Sequence, residues 1–282
     1  MVGRKMKTRE IQLLLNKHGH RLRLDDQMGP TTKSAVRAFQ RKHKLVADGI
    51  VGSLTIRALR KSPASSKKLK FKKIVCDDFV LGGIVSGANQ TWIREDAVSS
   101  LAKVRDTIQS AGALFTSHGG RRLLSASVGK NRSKTSLHYL GLAHDLHTKS
   151  GMVDPYNDPY VVVQSLEDHR RWTVYARVDY PIGTYLELEA YTYEHKKISV
   201  AGNYINITEL MAENGWKSIR ARKSFFSKGN TLAAEWWHFQ NEDVLKKGVT
   251  FGSELIKSYK LKKLKSYPLW KRNGVKWQKN WF

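Results

Sequence analysis

Apolar positions recur along the chain with two different periods. Ile11, Leu14 and Leu15 have the spacing of one helical face, as do Ala35, Val36 and Phe39, and then Ile56 and Leu59. Three short helices are therefore expected within the first 60 residues. Val98, Leu101, Val104 and Ile108 mark one face of a helix over Ala97 to Ala113, and ITELMAENGW (207–216) reads as another that ends near Gly215. Residues 160–166, 172–178 and 184–193 are rich in β-branched and aromatic side chains and read as strands. The order predicts a multidomain chain: an all-α three-helix module, then an α+β domain with a small, mostly antiparallel sheet. No run reaches the ~18–20 apolar residues of a membrane span; the best, Phe79 to Ala88, carries three glycines.

The first 60 residues also repeat with a period of 23: Asp25, Gly29, Thr32, Ala35 and Val36 recur as Asp48, Gly52, Thr55, Ala58 and Leu59. In each copy the acidic residue and the glycine suit a turn, and the threonine falls near a helix start, where its hydroxyl can serve free backbone N–H groups. The stretch 29–61, GPTTKSAVRAFQRKHKLVADGIVGSLTIRALRK, closely resembles the peptidoglycan-binding domain of cell-wall hydrolases. It fills the Gly-Pro-x-Thr turn, the Ala-Val-x-x-Phe-Gln helix and the Asp-Gly-x-x-Gly-x-x-Thr turn. It departs at Ser53, where proline is common. The resemblance implies a wall-binding role for Asp25, Gly29, Thr32, Asp48, Gly49, Gly52 and Thr55.

Charge sharpens the division. The chain carries 50 Lys+Arg against 24 Asp+Glu, a net +26. Residues 1–73 hold 20 basic and 4 acidic side chains, residues 74–254 hold 21 and 20, and residues 255–282 hold 9 and none. A nearly neutral body sits between two cationic stretches. The expected domains are 1–62, a basic linker 63–73 where Pro, Ser and Lys replace apolar periodicity, a body 74–254, and a basic aromatic segment 255–282 docked on that body. One cysteine, Cys76, excludes an internal disulfide and a thiolate zinc cluster. Behind the basic amino terminus the only apolar stretch is Leu13-Leu14-Leu15, which is no export signal. Charge alone would suit a nucleic-acid binder, but no segment resembles a recognition helix, so no specific nucleic acid is expected.

Two segments of the body stand out chemically. TSLHYLGLAHDLHT (135–148) places His138 seven residues before Asp145, and its Gly141–His147 part alternates like a strand, which would put Ala143, Asp145 and His147 on one face. His144 then points away and packs. AAEWWHFQ (233–240) places Glu235 three residues before His238. Two histidines and one carboxylate suffice as a shell for catalytic zinc, and a carboxylate outside the shell can carry the proton. Spacing alone leaves a chance His/Asp/Glu set open, since the chain has ten histidines.

Ser136, His138, Gly141, Ala143 and Asp145, followed by Glu235, Trp237 and His238, resemble the signature of the zinc D-alanyl-D-alanine peptidase superfamily, which includes phage L-alanyl-D-glutamate endolysins. The resemblance implies one Zn2+ per chain on His138, Asp145 and His238, with Glu235 as general base. It implies an arginine that holds the substrate carbonyl. Ser117-His118-Gly119-Gly120-Arg121-Arg122 departs from the usual Ser-Gly-Tyr-Arg, and Arg121 takes that role by its separation from His138. Ser136, Trp237 and His147 are the candidate substrate contacts. The function implied is an endolysin-type peptidoglycan peptidase that cleaves the stem peptide by zinc-activated water, with L-Ala–D-Glu as the expected bond. A D-Ala-D-Ala carboxypeptidase or DD-endopeptidase, and a noncatalytic wall-binding protein, are the alternatives. Peptidoglycan is the expected partner, with anionic envelope polymers or lipopolysaccharide attracted by charge. The chain is expected as a monomer made in the host cytoplasm and acting on the cell wall after release.

Overall fold

A computed structural model describes residues 6–60, 68–81, 84–126, 133–246 and 248–270. The chain divides into two compact units, Met1–Lys68 and Leu69–Phe282. The first is helical: α1 (Thr8–Lys17), α2 (Pro30–Lys42) and α3 (Ser53–Arg60). Ile11, Leu15, Val36, Phe39 and Leu59 form its core, which is why those positions carry the helical period. Pro30 opens α2, where its missing N–H costs nothing.

The repeat is a hydrogen-bonding device. Gln12 donates through Nε2 to Asp25 Oδ1 (2.7 Å), Gln27 O (3.0 Å) and Thr32 Oγ1 (3.3 Å). Gln40 does the same with Asp48 Oδ1 (2.8 Å), Ile50 O (2.9 Å) and Thr55 Oγ1 (3.2 Å). Both glutamines are buried, so each ties a loop to the helix before it. Thr32 and Thr55 do not cap helices. Each hydroxyl faces inward toward a loop carbonyl, that of Gln27 or Ile50. Gly29 is the N-cap of α2 without any side-chain bond, Gly49 N–H donates to Gln40 Oε1 (2.9 Å), and Gly52 O accepts from Ile56 N–H (2.8 Å).

The second unit is built largely of antiparallel β-structure. β1 (Phe71–Val75) and β4 (Gln90–Arg94) pair, with a small hairpin of β2 (Phe79–Leu81) and β3 (Ile84–Ser86) between them. Phe71 to Lys73, expected as linker, thus belong to a strand; a run of lysines hides a two-residue alternation in which Ile74 is buried. Residues 63–67 of that linker lie outside the described residues. Next comes α4 (Val98–Ser110), with Leu101, Val104 and Ile108 fully buried. β5 (Ala143–Asp145) follows, and then β6 (Tyr160–Gln164), β7 (Trp172–Val178), β8 (Thr184–Tyr191) and β9 (Lys197–Asn206).

These last four strands close into their own barrel, in order β6-β7-β9-β8, rather than joining one small sheet. The cause is two-sided burial. Tyr160, Val162, Val174 and Ala176 face the main core, while Val161, Ala190, Val200 and Tyr204 fill the barrel. The chain returns through α5 (Ile207–Glu213), β10 (Trp216–Ser218), α6 (Lys223–Lys228) and β11 (His238–Asn241). β11 lies between β10 and β5 in a three-stranded antiparallel sheet. α7 (Phe251–Ser258) and α8 (Leu261–Ser266) close the described chain, with Leu255, Tyr259, Leu264 and Leu269 buried in the main core. Residues 271–282 of the basic aromatic segment are outside the described residues.

Candidate active site

The β5–β11 ladder brings the two sequence motifs together. Asp145 pairs directly with His238, and Ala143 with Gln240, so these four side chains share one face of the sheet. His144 pairs with Phe239 on the other face, fully buried and stacked on Phe115 at 4.8 Å; burial lowers its pKa to about 4. The strand is only three residues long. Residues 137–140 form a 3-10 turn ending at Gly141, whose φ of +67° is left-handed. A Cβ there would meet the Phe71 ring at 2.7 Å and Arg94 N at 3.0 Å. His147 therefore lies in a loop beyond β5 rather than on the Asp145 face of a long strand.

The 3-10 turn delivers His138 to the sheet. His138 Nε2 is 3.1 Å from Asp145 Oδ2 and 3.3 Å from His238 Nδ1, and His238 Nδ1 is 2.8 Å from Asp145 Oδ1. The outer nitrogens have partners of their own: His138 Nδ1 donates to the Gly120 carbonyl, and His238 Nε2 to Gln240 Oε1 (3.2 Å). With those outer nitrogens donating, both imidazoles can turn an inner lone pair toward a cation. Two lone pairs and a carboxylate then converge, their ligand atoms all within 4.8 Å of one another. That donor set fits one zinc ion and leaves a coordination position for another ligand. Burial alone would raise the Asp145 pKa, but the two imidazoles hold the carboxyl well below its usual range. Burial likewise lowers His238, yet the Asp145 bond and charge outweigh it and the net shift is upward.

Gly120 explains part of the Ser-His-Gly-Gly-Arg segment. A Cβ at 120 would come 2.3 Å from Thr91 Oγ1 and 2.9 Å from Trp92 O, so only glycine can bring this carbonyl to His138. Arg121 is turned to other work. Its guanidinium lies 3.9 Å from the Phe71 ring centroid, and its Nε donates to Tyr259 OH (3.1 Å). The aromatic pair holds it through cation–π and hydrogen-bond contacts.

Glu235 is buried and adopts φ +55°, a left-handed conformation unusual for a residue with a side chain. Its carbonyl accepts from His238 N–H (3.1 Å), closing the turn that enters β11. The carboxylate Oε1 lies 2.5 Å from the half-exposed Arg222 guanidinium, at the residue preceding α6. Arg222 and Gln240 escaped sequence reasoning. Gln240 carried a usable signal, two residues past His238 on the same strand face; Arg222 carried none.

Of the candidate substrate contacts, Ser136 is half-buried and precedes the 3-10 turn, and Trp237 is buried against Trp236 with ring centroids 5.7 Å apart. His147 sits 4.9 Å from both the His118 and the Phe79 rings; burial, then the His118 and Lys149 charges, lowers its pKa to about 4.

Comparison with known proteins bears on each unit. Residues 6–59 match the family model described as "Putative peptidoglycan binding domain". The chain is also 31% identical over 133 residues to the zinc D-Ala-D-Ala carboxypeptidase of Streptomyces albus G. That alignment takes in 45% of this chain and 51% of the relative, so the chain spans about half the length of the curated protein it matches. No solved structure matches the chain.

Proposed function

We propose that this chain is a zinc peptidase of endolysin type that cuts the stem peptide of peptidoglycan, with its helical unit holding the wall. The observation that carries the reading is the meeting of His138, Asp145 and His238, with the outer nitrogen of each imidazole hydrogen-bonded. The helical unit's family match supports peptidoglycan as the partner, and the relative's name supports zinc. One zinc per monomeric chain, held by those three residues, would supply Lewis acidity and lower the pKa of water. Glu235 is then the proton carrier, taking a proton and delivering it to the leaving amine. Arg222 holds the Glu235 carboxylate in one orientation. Ser136, Trp237 and His147 border the substrate.

The bond proposed is L-Ala–D-Glu in the stem. A bond involving D-Ala is the second reading, favoured by the name of the Streptomyces relative. The place of action is the cell wall after release from the cytoplasm, where the net +26 attracts anionic envelope polymers.

Elemental analysis tests the metal. The purified chain is expected to carry about one zinc, and His138→Ala and His238→Ala are each expected to lose it. Full zinc occupancy in both variants would overturn the ligand set.

A further inference from the structure

We propose that the second unit docks on an anionic phospholipid surface through a lysine-rich face assembled from two segments about 190 residues apart in the chain. The segments are KLKFKK (68–73) and KSYKLKKLK (257–265), and neither contains a carboxylate. They meet where Leu69 N–H donates to Lys257 O at 2.9 Å. The β1–β4 register then defines the face. Phe71 pairs with Arg94 and Lys73 with Trp92, so strand alternation puts these four side chains on one side.

At one end of that side Phe71 lies 5.7 Å from the Tyr259 ring, and Arg94 bonds Glu254 of α7 at 3.0 Å. Helix α7 thus covers Phe71 and Arg94 and leaves Lys73 and Trp92 in the open, Trp92 44% exposed. α8 follows α7 in the chain: Leu264 anchors it in the core, while Lys262, Lys265 and Leu261 face solvent. Beside the segments lie Glu95, whose N–H donates to the Lys70 carbonyl at 2.8 Å, and two carboxylates that are already engaged. Glu254 binds Arg94 and Lys257, and Asp96 binds Arg94.

A cationic surface with an exposed tryptophan and leucine has the chemistry of a bilayer interface. Ammonium groups meet lipid phosphates, and the apolar side chains enter the headgroup layer. A soluble phosphate polymer shares the charge chemistry but offers nothing to Trp92 and Leu261. The bilayer is therefore the occupant. None of these residues belongs to the proposed metal centre, so this inference stands or falls separately from it.

Cosedimentation of the full chain with vesicles at low salt tests the surface. Binding is expected to equimolar phosphatidylglycerol and phosphatidylcholine vesicles and not to phosphatidylcholine alone. The exposed triple substitution Lys73→Gln, Lys262→Gln, Lys265→Gln should weaken it roughly a hundredfold. A control of equal charge loss in the helical unit, Lys17→Gln, Lys33→Gln, Arg41→Gln, should weaken it only a few-fold. Trp92→Ala should impair vesicle binding while leaving binding to soluble linear polyphosphate intact. Equal losses in the two triple variants would overturn the proposal, because net charge alone would then explain binding. So would wild-type binding to polyphosphate without binding to vesicles, or unimpaired vesicle binding by Trp92→Ala.

Discussion

Glu235 holds a backbone conformation that costs a residue with a side chain about 1–3 kcal/mol, and it does so inside the buried turn that positions His238. Strain of that kind persists where the surroundings over-determine it, and the Arg222 contact at 2.5 Å restrains the carboxylate from the other side. If Glu235 moves the proton, Glu235→Gln should fold and keep its zinc, while turnover on sacculi falls by ~10²–10⁴. If it only braces the metal, zinc affinity should drop by about 10–100-fold and excess zinc should restore activity. Near-wild-type turnover at saturating zinc would assign the proton chemistry elsewhere. The triad residues were legible because each motif is short and local, and the β5–β11 pairing merely brings the motifs together. The contacts of Arg121 were not legible for the opposite reason: Phe71 and Tyr259, which hold its guanidinium, are both far away in sequence.

Among the elements, those with a single buried face could be read from their periodicity. α4 has Leu101, Val104 and Ile108 on the expected face, and β7 spans Trp172–Val178 as its composition suggests. β5 was overestimated at both ends: Gly141 turns left-handed at the close of the 3-10 turn, before the strand, and the strand stops at Asp145. The barrel was not foreseen because β6 alternates between two apolar environments, so no polar face announces a sheet boundary. In the helical unit the repeat was visible, but the glutamines that give it a purpose precede each copy by unequal distances. Gln40→Ala would leave Asp48, Thr55 and the Ile50 carbonyl without their shared donor. It should destabilise that unit by about 1–3 kcal/mol, seen as an earlier transition in denaturant, whereas Lys33→Ala on the exposed side of α2 should leave the transition in place.

At the scale of the molecule, a helical unit whose family match concerns peptidoglycan is joined in one chain to a unit bearing a His/Asp/His set that could hold a metal ion. In the proposed function the second unit cuts what the first unit binds. Mass spectrometry of the fragments released from purified peptidoglycan by the zinc-loaded chain tests that claim most directly. Fragments with a new free amine at one stem-peptide bond, the proposed L-Ala–D-Glu, are expected, and none from the Glu235→Gln variant. Peptidoglycan recovered with every peptide bond intact, or cut only in its glycan strands, would contradict it.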